Sequence, residues 1–228
     1  MKPIYNPKGA AKEYCEWALN IYTGCPHRCF YCYCPQVLRR DAEEFFARVE
    51  PRKNIVEETR KQLEREHITG KLIQLCFIGD PYPTGYDTTP TRDIIALLKA
   101  YGNHVQILTK GDGTRDFDLL DENDWYGITL DGKTVISAGC PPIFQIRRAK
   151  DHGIKTWVSF EPVLDDVRVL WLIEAMSSML DKVKIGKLNY HPSDIDWKAF
   201  GVQAEALCQQ LGLDYYIKDS LRAEMMKP

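Results

Sequence analysis

The feature that most limits the fold of this chain is a repeated exchange between short apolar runs and amphipathic stretches of helical length. KLIQLCFIGD (71–80) predicts a buried strand, and TRDIIALLKAYGN (91–103) predicts a helix that stops at Gly102. VQILTKG (105–111) and WYGITLDG (125–132) predict two more strands, with a short helix in RDFDLLDEN between them. A helix then runs from Pro141 or Pro142 to Gly153, where proline suits the first turn and glycine the stop. KTWVSFEPV (155–163), a helix around VRVLWLIEAMSSML, KVKIGKLNY (182–190) and a helix over DWKAFGVQAEALCQQLG complete the series. LDYYIKDSL is compatible with a last short strand or turn.

Strands alternating with helices imply right-handed βαβ units on a parallel sheet. Counting WALNIYTG as the first strand, about six units are present, too few for a closed eightfold barrel. The pattern alone fits an open barrel and a flat doubly wound sheet equally well. In both, the loops that follow the strands share one rim. That rim would gather the segment 23–34, Gly79 with Asp80, Thr109 with Lys110, Thr129, Glu161 and Asn189. No repeat, low-complexity tract or break in composition divides the chain, so one domain over residues 1–228 is expected. ARVEPRKNIVEETRKQLEREH carries both charge signs at helical spacing and reads as a solvated helix face.

No apolar run approaches the ~20 residues that cross a bilayer, and MKPIYNPKGAAKEYCEW lacks the apolar stretch of a secretory signal. A cytoplasmic location is therefore expected. Thiols stay reduced there, so clustered cysteines point to metal binding or redox chemistry more than to disulfides. Lys and Arg number 30 against 32 Asp and Glu, and this near balance gives no overall field toward polyanions.

TGCPHRCFYCYC (23–34) holds four of the eight cysteines. Cys25, Cys29 and Cys32 form C-x3-C-x2-C. A structural zinc site would call for a second spaced pair, and Cys76, Cys140 and Cys208 each stand alone, although Cys34 or His27 offers a fourth local ligand. An iron–sulfur cluster is also held by thiolates. Three ligands from one loop would leave one iron of a four-iron cube open to a substrate or cofactor.

GCPHRCFYCYC, with an aromatic residue just before the third cysteine, resembles the signature of the radical S-adenosylmethionine (SAM) superfamily. ALNIYTGCPHRCFYCY, VQILTKG, PPIFQIRRAKDHGIKTWVSFEPVLD, KVKIGKLNYHP and YYIKDSLR are similar, in order, to its spore photoproduct lyase-like, DNA repair photolyase-type branch, over roughly residues 15–222. The resemblance implies an α/β fold, an open partial (β/α)6 barrel. It also implies a [4Fe–4S] cluster on Cys25, Cys29 and Cys32, with SAM chelated at the open iron. One-electron reduction then yields methionine and a 5′-deoxyadenosyl radical that takes hydrogen from a substrate. An electron donor such as flavodoxin or ferredoxin is the implied partner.

By the same resemblance, Tyr31 lies near the SAM adenine, and Gly79 with Asp80 near the SAM ammonium, although many relatives carry two glycines and a glutamate there. Lys110 would meet the SAM carboxylate, Thr129 would add a polar contact, and Glu161 would meet the ribose hydroxyls or the substrate. Lys187, Asn189 and His191 end the sixth strand and could face the substrate. Spore photoproduct lyase returns hydrogen to its product radical from a cysteine near the end of the second strand. Cys76, the nearest counterpart here, is four residues before Asp80 and does not match, which leaves Cys34 and Cys140 as candidate hydrogen donors.

The branch implies a nucleic-acid lesion or modified nucleobase as substrate. Opposing this, the chain is slightly acidic, and GITLDGKTVISAGCPP looks shortened on the substrate rim. Arg39, Arg40, Arg147, Arg148 and Lys150 are the candidate basic contacts. The alternatives are a radical SAM enzyme for a small molecule or peptide, and a non-catalytic metal-binding or electron-transfer module.

Overall fold

The structure, a computed structural model, describes residues 2–133 and 139–227. Eight strands form one sheet in sequential order: β1 (Ile4–Tyr5), β2 (Trp17–Leu19), β3 (Leu72–Leu75), β4 (His104–Thr109), β5 (Trp125–Thr129), β6 (Lys155–Phe160), β7 (Lys182–Ile185) and β8 (Asp214–Ile217). β1 runs antiparallel to β2, and every later pair is parallel. A doubly wound sheet would reverse its strand order part-way to put helices on both faces. No reversal occurs here, so the crossovers stay on one side and the sheet curls, with β1 and β8 as unpaired edges. This is the open partial barrel, with the expected six strands extended by β8 and by β1, whose two residues carry no periodic signal.

Four of the helices follow the predicted amphipathic pattern: α4 (Thr89–Ala100), α5 (Pro142–Asp151), α6 (Asp166–Met176) and α7 (Trp197–Gln210). α4 turns Ile94, Ile95, Leu97 and Leu98 inward, and its chain leaves through Gly102 at φ +70°, a conformation costly for a residue with a Cβ. The stretch expected as a short helix at 115–123 is a 3-10 turn over Thr114–Leu119. Between β2 and β3 the chain forms α1 (Cys34–Leu38), α2 (Ala42–Ala47) and α3 (Ile55–Glu66), of which only the last shows in the charge pattern. α8 (Asp219–Met225) closes the chain. No helix among the described residues is long and apolar enough to cross a membrane.

The strands of the middle of the sheet are buried almost throughout, and their outer faces meet the helices in one apolar cluster. The inner face is partly filled by Trp157, whose indole donates to the Ile107 carbonyl at 2.9 Å. Gly127 on the neighbouring strand makes that possible, since a Cβ there would stand 2.2 Å from the indole nitrogen. Tyr14, from the segment before β2, also enters the lumen and meets the rings of Phe77 and Trp157 at 5.9 and 6.0 Å.

Candidate active site

The loop after β2 carries the three spaced cysteines, and its shape is held from several sides. The Cys25 amide donates to the Phe45 carbonyl at 3.2 Å, and the Cys32 amide to the Cys29 carbonyl at 2.9 Å. Arg40, one of the proposed nucleic-acid contacts, donates to the Thr23 carbonyl at 2.7 Å and so braces this loop instead. Gly79 has φ +87°, and a Cβ on it would lie 2.7 Å from the Gly24 carbonyl oxygen. The glycine thus lets the β3 loop press against the cysteine loop.

Asp80 fastens the same junction. Its Oδ1 accepts from the Thr109 hydroxyl at 2.5 Å and the Tyr82 amide at 2.8 Å, while Oδ2 accepts from the Lys110 amide at 2.7 Å and lies 3.4 Å from Nδ1 of His27. The carboxylate expected at the SAM ammonium is therefore engaged by the chain itself. It joins the cysteine loop to the ends of β3 and β4.

Tyr31, between Cys29 and Cys32, donates its phenol proton to Oδ2 of Asp131 at 2.8 Å. The Lys110 ammonium approaches the same oxygen at 3.3 Å and lies 5.6 Å from the centre of the Tyr31 ring. Burial, together with the nearby Cys29 and Asp131, pushes the Tyr31 phenol up, so it remains a proton donor at neutral pH. Asp131 escaped the sequence reading. Its position two residues beyond Thr129, at the end of a strand, was the available signal.

Glu161 is turned toward the lumen. It accepts a short hydrogen bond from Tyr14 and lies 3.3 Å from the ammonium of Lys218, which also reaches Glu13 at 3.1 Å. Lys218 is 2% exposed, and its ammonium sits 4.2 Å from the Tyr14 ring centre. Burial first, and then Glu161, pushes the Tyr14 phenol well up. Neither Tyr14 nor Lys218 stood out in the sequence.

The other candidates divide. Thr129 pairs through its backbone with Ser159, and Asn189 bonds to the Lys187 carbonyl within its own loop. Lys187 is committed to an ion pair with Glu224 on α8. His191 reaches the cysteine loop, its ring 5.4 Å from that of Phe30, which is 65% exposed. Cys34 is buried at the start of α1, donates to the Phe77 carbonyl at 3.6 Å, and draws the Cys32 thiol down to about 7 through a hydrogen bond. Cys76 faces the core, where its sulfur accepts from the Ile21 amide at 3.4 Å. Cys140 lies beside Asp112, which accepts from its amide at 2.8 Å. Of the other basic residues proposed for nucleic acid, Arg39 ends α1, Arg147 bonds to the Met179 sulfur and Lys150 pairs with Asp181. Part of the shortened rim segment, 134–138, lies outside the described residues.

The three thiols of the cysteine loop are the donor type that an iron–sulfur cluster takes. Burial pushes the Cys25 and Cys29 thiols up, so a bound cation would have to hold them as thiolates. Among the described residues, His104, Asp121 and Asp124 bring three ligand atoms within 4.8 Å of one another, and the Lys99 ammonium already bridges the two carboxylates.

The family model of the radical SAM superfamily matches residues 19–134, half of the chain and the part that holds the cysteine loop, Asp80, Lys110 and Asp131. The chain belongs to the radical SAM superfamily. As a radical SAM protein it is an enzyme, which sets aside the non-catalytic module. "Uncharacterized protein ORF301" of Acidianus two-tailed virus is 30% identical over 189 residues, covering 71% of this chain and 60% of the viral one. The chain therefore spans less than two thirds of that relative. Spore photoproduct lyase complexed with dinucleoside spore photoproduct has a similar fold, with a TM-score of 0.69 at 12% identity over 93% of this chain and 79% of that one. SuiB of Streptococcus suis bound to the precursor peptide SuiA gives 0.62 at 13% identity over 91% and 50%. Both likenesses are of fold.

Proposed function

We propose that this radical SAM enzyme holds a [4Fe–4S] cluster on Cys25, Cys29 and Cys32 and uses it to cleave SAM reductively. The observation that carries this reading is the cysteine loop itself, clamped by Gly79 and Asp80 and flanked by the Tyr31–Asp131–Lys110 group. When bound, the cluster supplies the electron that breaks a carbon–sulfur bond of SAM, so that hydrogen can be taken from the substrate. The residues of the chain bind and orient. Lys110 offers a point charge to the SAM carboxylate, and its contact with Asp131 sets where that charge sits. The Gly79–Asp80 backbone is the proposed dock for the SAM amino group, with the Asp80 side chain fixing the loop. Tyr31, Thr129, Glu161 and Asn189 are the remaining proposed contacts, Glu161 being held in place by Tyr14 and Lys218. Cys34 and Cys140 remain the proposed hydrogen donors, and a flavodoxin or ferredoxin the proposed reductant.

For substrate, we favour a nucleic-acid lesion or modified nucleobase. Phe30, 65% exposed, lies in the cysteine loop and Tyr190, 96% exposed, follows β7, where flat bases could stack. A peptide is the second reading, supported by the near balance of charge and by the fold shared with the peptide-bound SuiB. The test is anaerobic reconstitution with iron and sulfide, then dithionite and SAM, with 5′-deoxyadenosine quantified beside Cys29→Ala. Product that vanishes in the variant supports the reading, and an intact cluster that neither makes product nor responds spectroscopically to SAM defeats it.

A further inference from the structure

The amino ends of the strands lie away from the cysteine loop, and there the structure has a cavity of about 460 Å³. Trp17, Trp125 and Lys182 are first residues of β2, β5 and β7, and Lys71 immediately precedes β3. Trp157 and Lys184 also line it, from the lumen. In barrels of this kind the amino-end face ordinarily serves stability, so a charged, aromatic cavity there calls for a physical reason.

Its charges are lopsided. Three ammonium groups face one lining carboxylate, Glu16. Lys182 pairs with Asp214 at 2.9 Å, but among the described residues neither Lys71 nor Lys184 has a carboxylate at ion-pair distance. Each ammonium instead lies near an indole: Lys71 at 5.7 Å from Trp17, Lys182 at 5.3 Å from Trp125 and Lys184 at 5.5 Å from Trp157. Lys184 is 6% exposed and donates to the carbonyls of Glu13 and Tyr14 at 2.8 and 3.1 Å, which leaves one of an ammonium's three protons for another acceptor. Burial and the like charges of Lys182 and Lys218 push its amine down to about 8. An anion would relieve that repulsion.

We propose that this cavity binds a small anion attached to a flat ring, of the class of nucleoside monophosphates. Lys71, Lys182 and Lys184 receive the phosphate, and an indole face receives the base. Lysine supplies the point charge that phosphate binding uses, aromatic faces stack on bases of any sequence, and the volume falls in the range of small-ligand sites. The site is distinct from the radical SAM centre and does not depend on the substrate assigned there.

Guanosine monophosphate, chosen because it lacks the adenine of SAM, is titrated by calorimetry into the reconstituted full chain. Guanosine and inorganic phosphate are titrated in parallel, and Lys71→Met/Lys182→Met serves as the variant because both side chains stand at the cavity mouth. Circular dichroism verifies that the variant is folded, and Lys71→Met alone replaces it if it is not. Saturable binding of the nucleotide is expected, tighter than either fragment, weakened tenfold or more in the variant and unchanged by saturating SAM. Absence of saturable binding, equal affinity in the folded variant, or displacement by SAM would each overturn the proposal. Phosphate binding as tightly as the nucleotide would remove the ring from it.

Discussion

Oδ2 of Asp131 accepts the phenol proton of Tyr31 at 2.8 Å, across 100 residues of sequence. The bond ties the cysteine loop to the end of β5, and Lys110 completes the group from the end of β4. The three cysteines proposed as cluster ligands must be held in register, and this contact restrains the loop that carries them.

Asp131→Asn is expected to lower stability. It leaves Lys110, whose side chain is 10% exposed, beside a neutral amide, and breaking a buried pair in this way costs about 3 kcal/mol. Chemical denaturation measures the loss, and SAM affinity of the reconstituted variant is expected to change with it because the position of the Lys110 charge changes. Unaltered stability and affinity would remove Asp131 from the site.

Gly79→Ala should damage the cysteine loop directly. Alanine at φ +87° costs roughly 1 kcal/mol in backbone strain, and its Cβ meets the Gly24 carbonyl at 2.7 Å. Iron bound per chain after reconstitution is expected to fall several-fold while the far-UV circular dichroism of the barrel persists.

Replacing Cys25, Cys29 or Cys32 by alanine should abolish cluster assembly, whereas Cys34→Ala should retain it. Iron and sulfide analysis with the visible absorption of the cluster reads the result. Loss of iron in Cys34→Ala would mean a fourth thiolate ligand and a closed cluster.

Lys184 makes stability depend on alkaline pH. Its folded-state value, about 8, lies below the ordinary lysine value near 10.4, so between these two pH values the unfolded chain binds the extra proton. Stability therefore rises with pH through that window, by up to about 3 kcal/mol, and below it the cost of burying this charge is fully present and does not change with pH. Lys184→Met should lack the rise. Urea denaturation of both proteins between pH 7 and about 10.4 makes the comparison.

The order of strands and helices was readable because it is written locally. The apolar faces of α4 and α5 recur at helical spacing, and β3 to β7 stand out as short apolar runs. The elements that were missed are too short to show a period: β1 has two residues, α1 five and α2 six. Site residues divided in the same way. The positions of Asp80 and Lys110 at strand ends were legible, but what Asp80 touches was not, because its partners His27 and Thr109 come from the cysteine loop and from the end of β4.

By itself, the sequence determined the C-x3-C-x2-C spacing and the alternation of strand and helix, since a motif of eight residues and a period of a few residues need no distant partner. Only the tertiary structure decided that the sheet curls without closing, that Asp131 meets Tyr31, and that Tyr14 meets Glu161 across 147 residues. Those outcomes depend on which strand ends come to share a rim and which side chains fill the lumen. Both follow from packing the whole chain, where a buried polar group must find its partner wherever the fold places one.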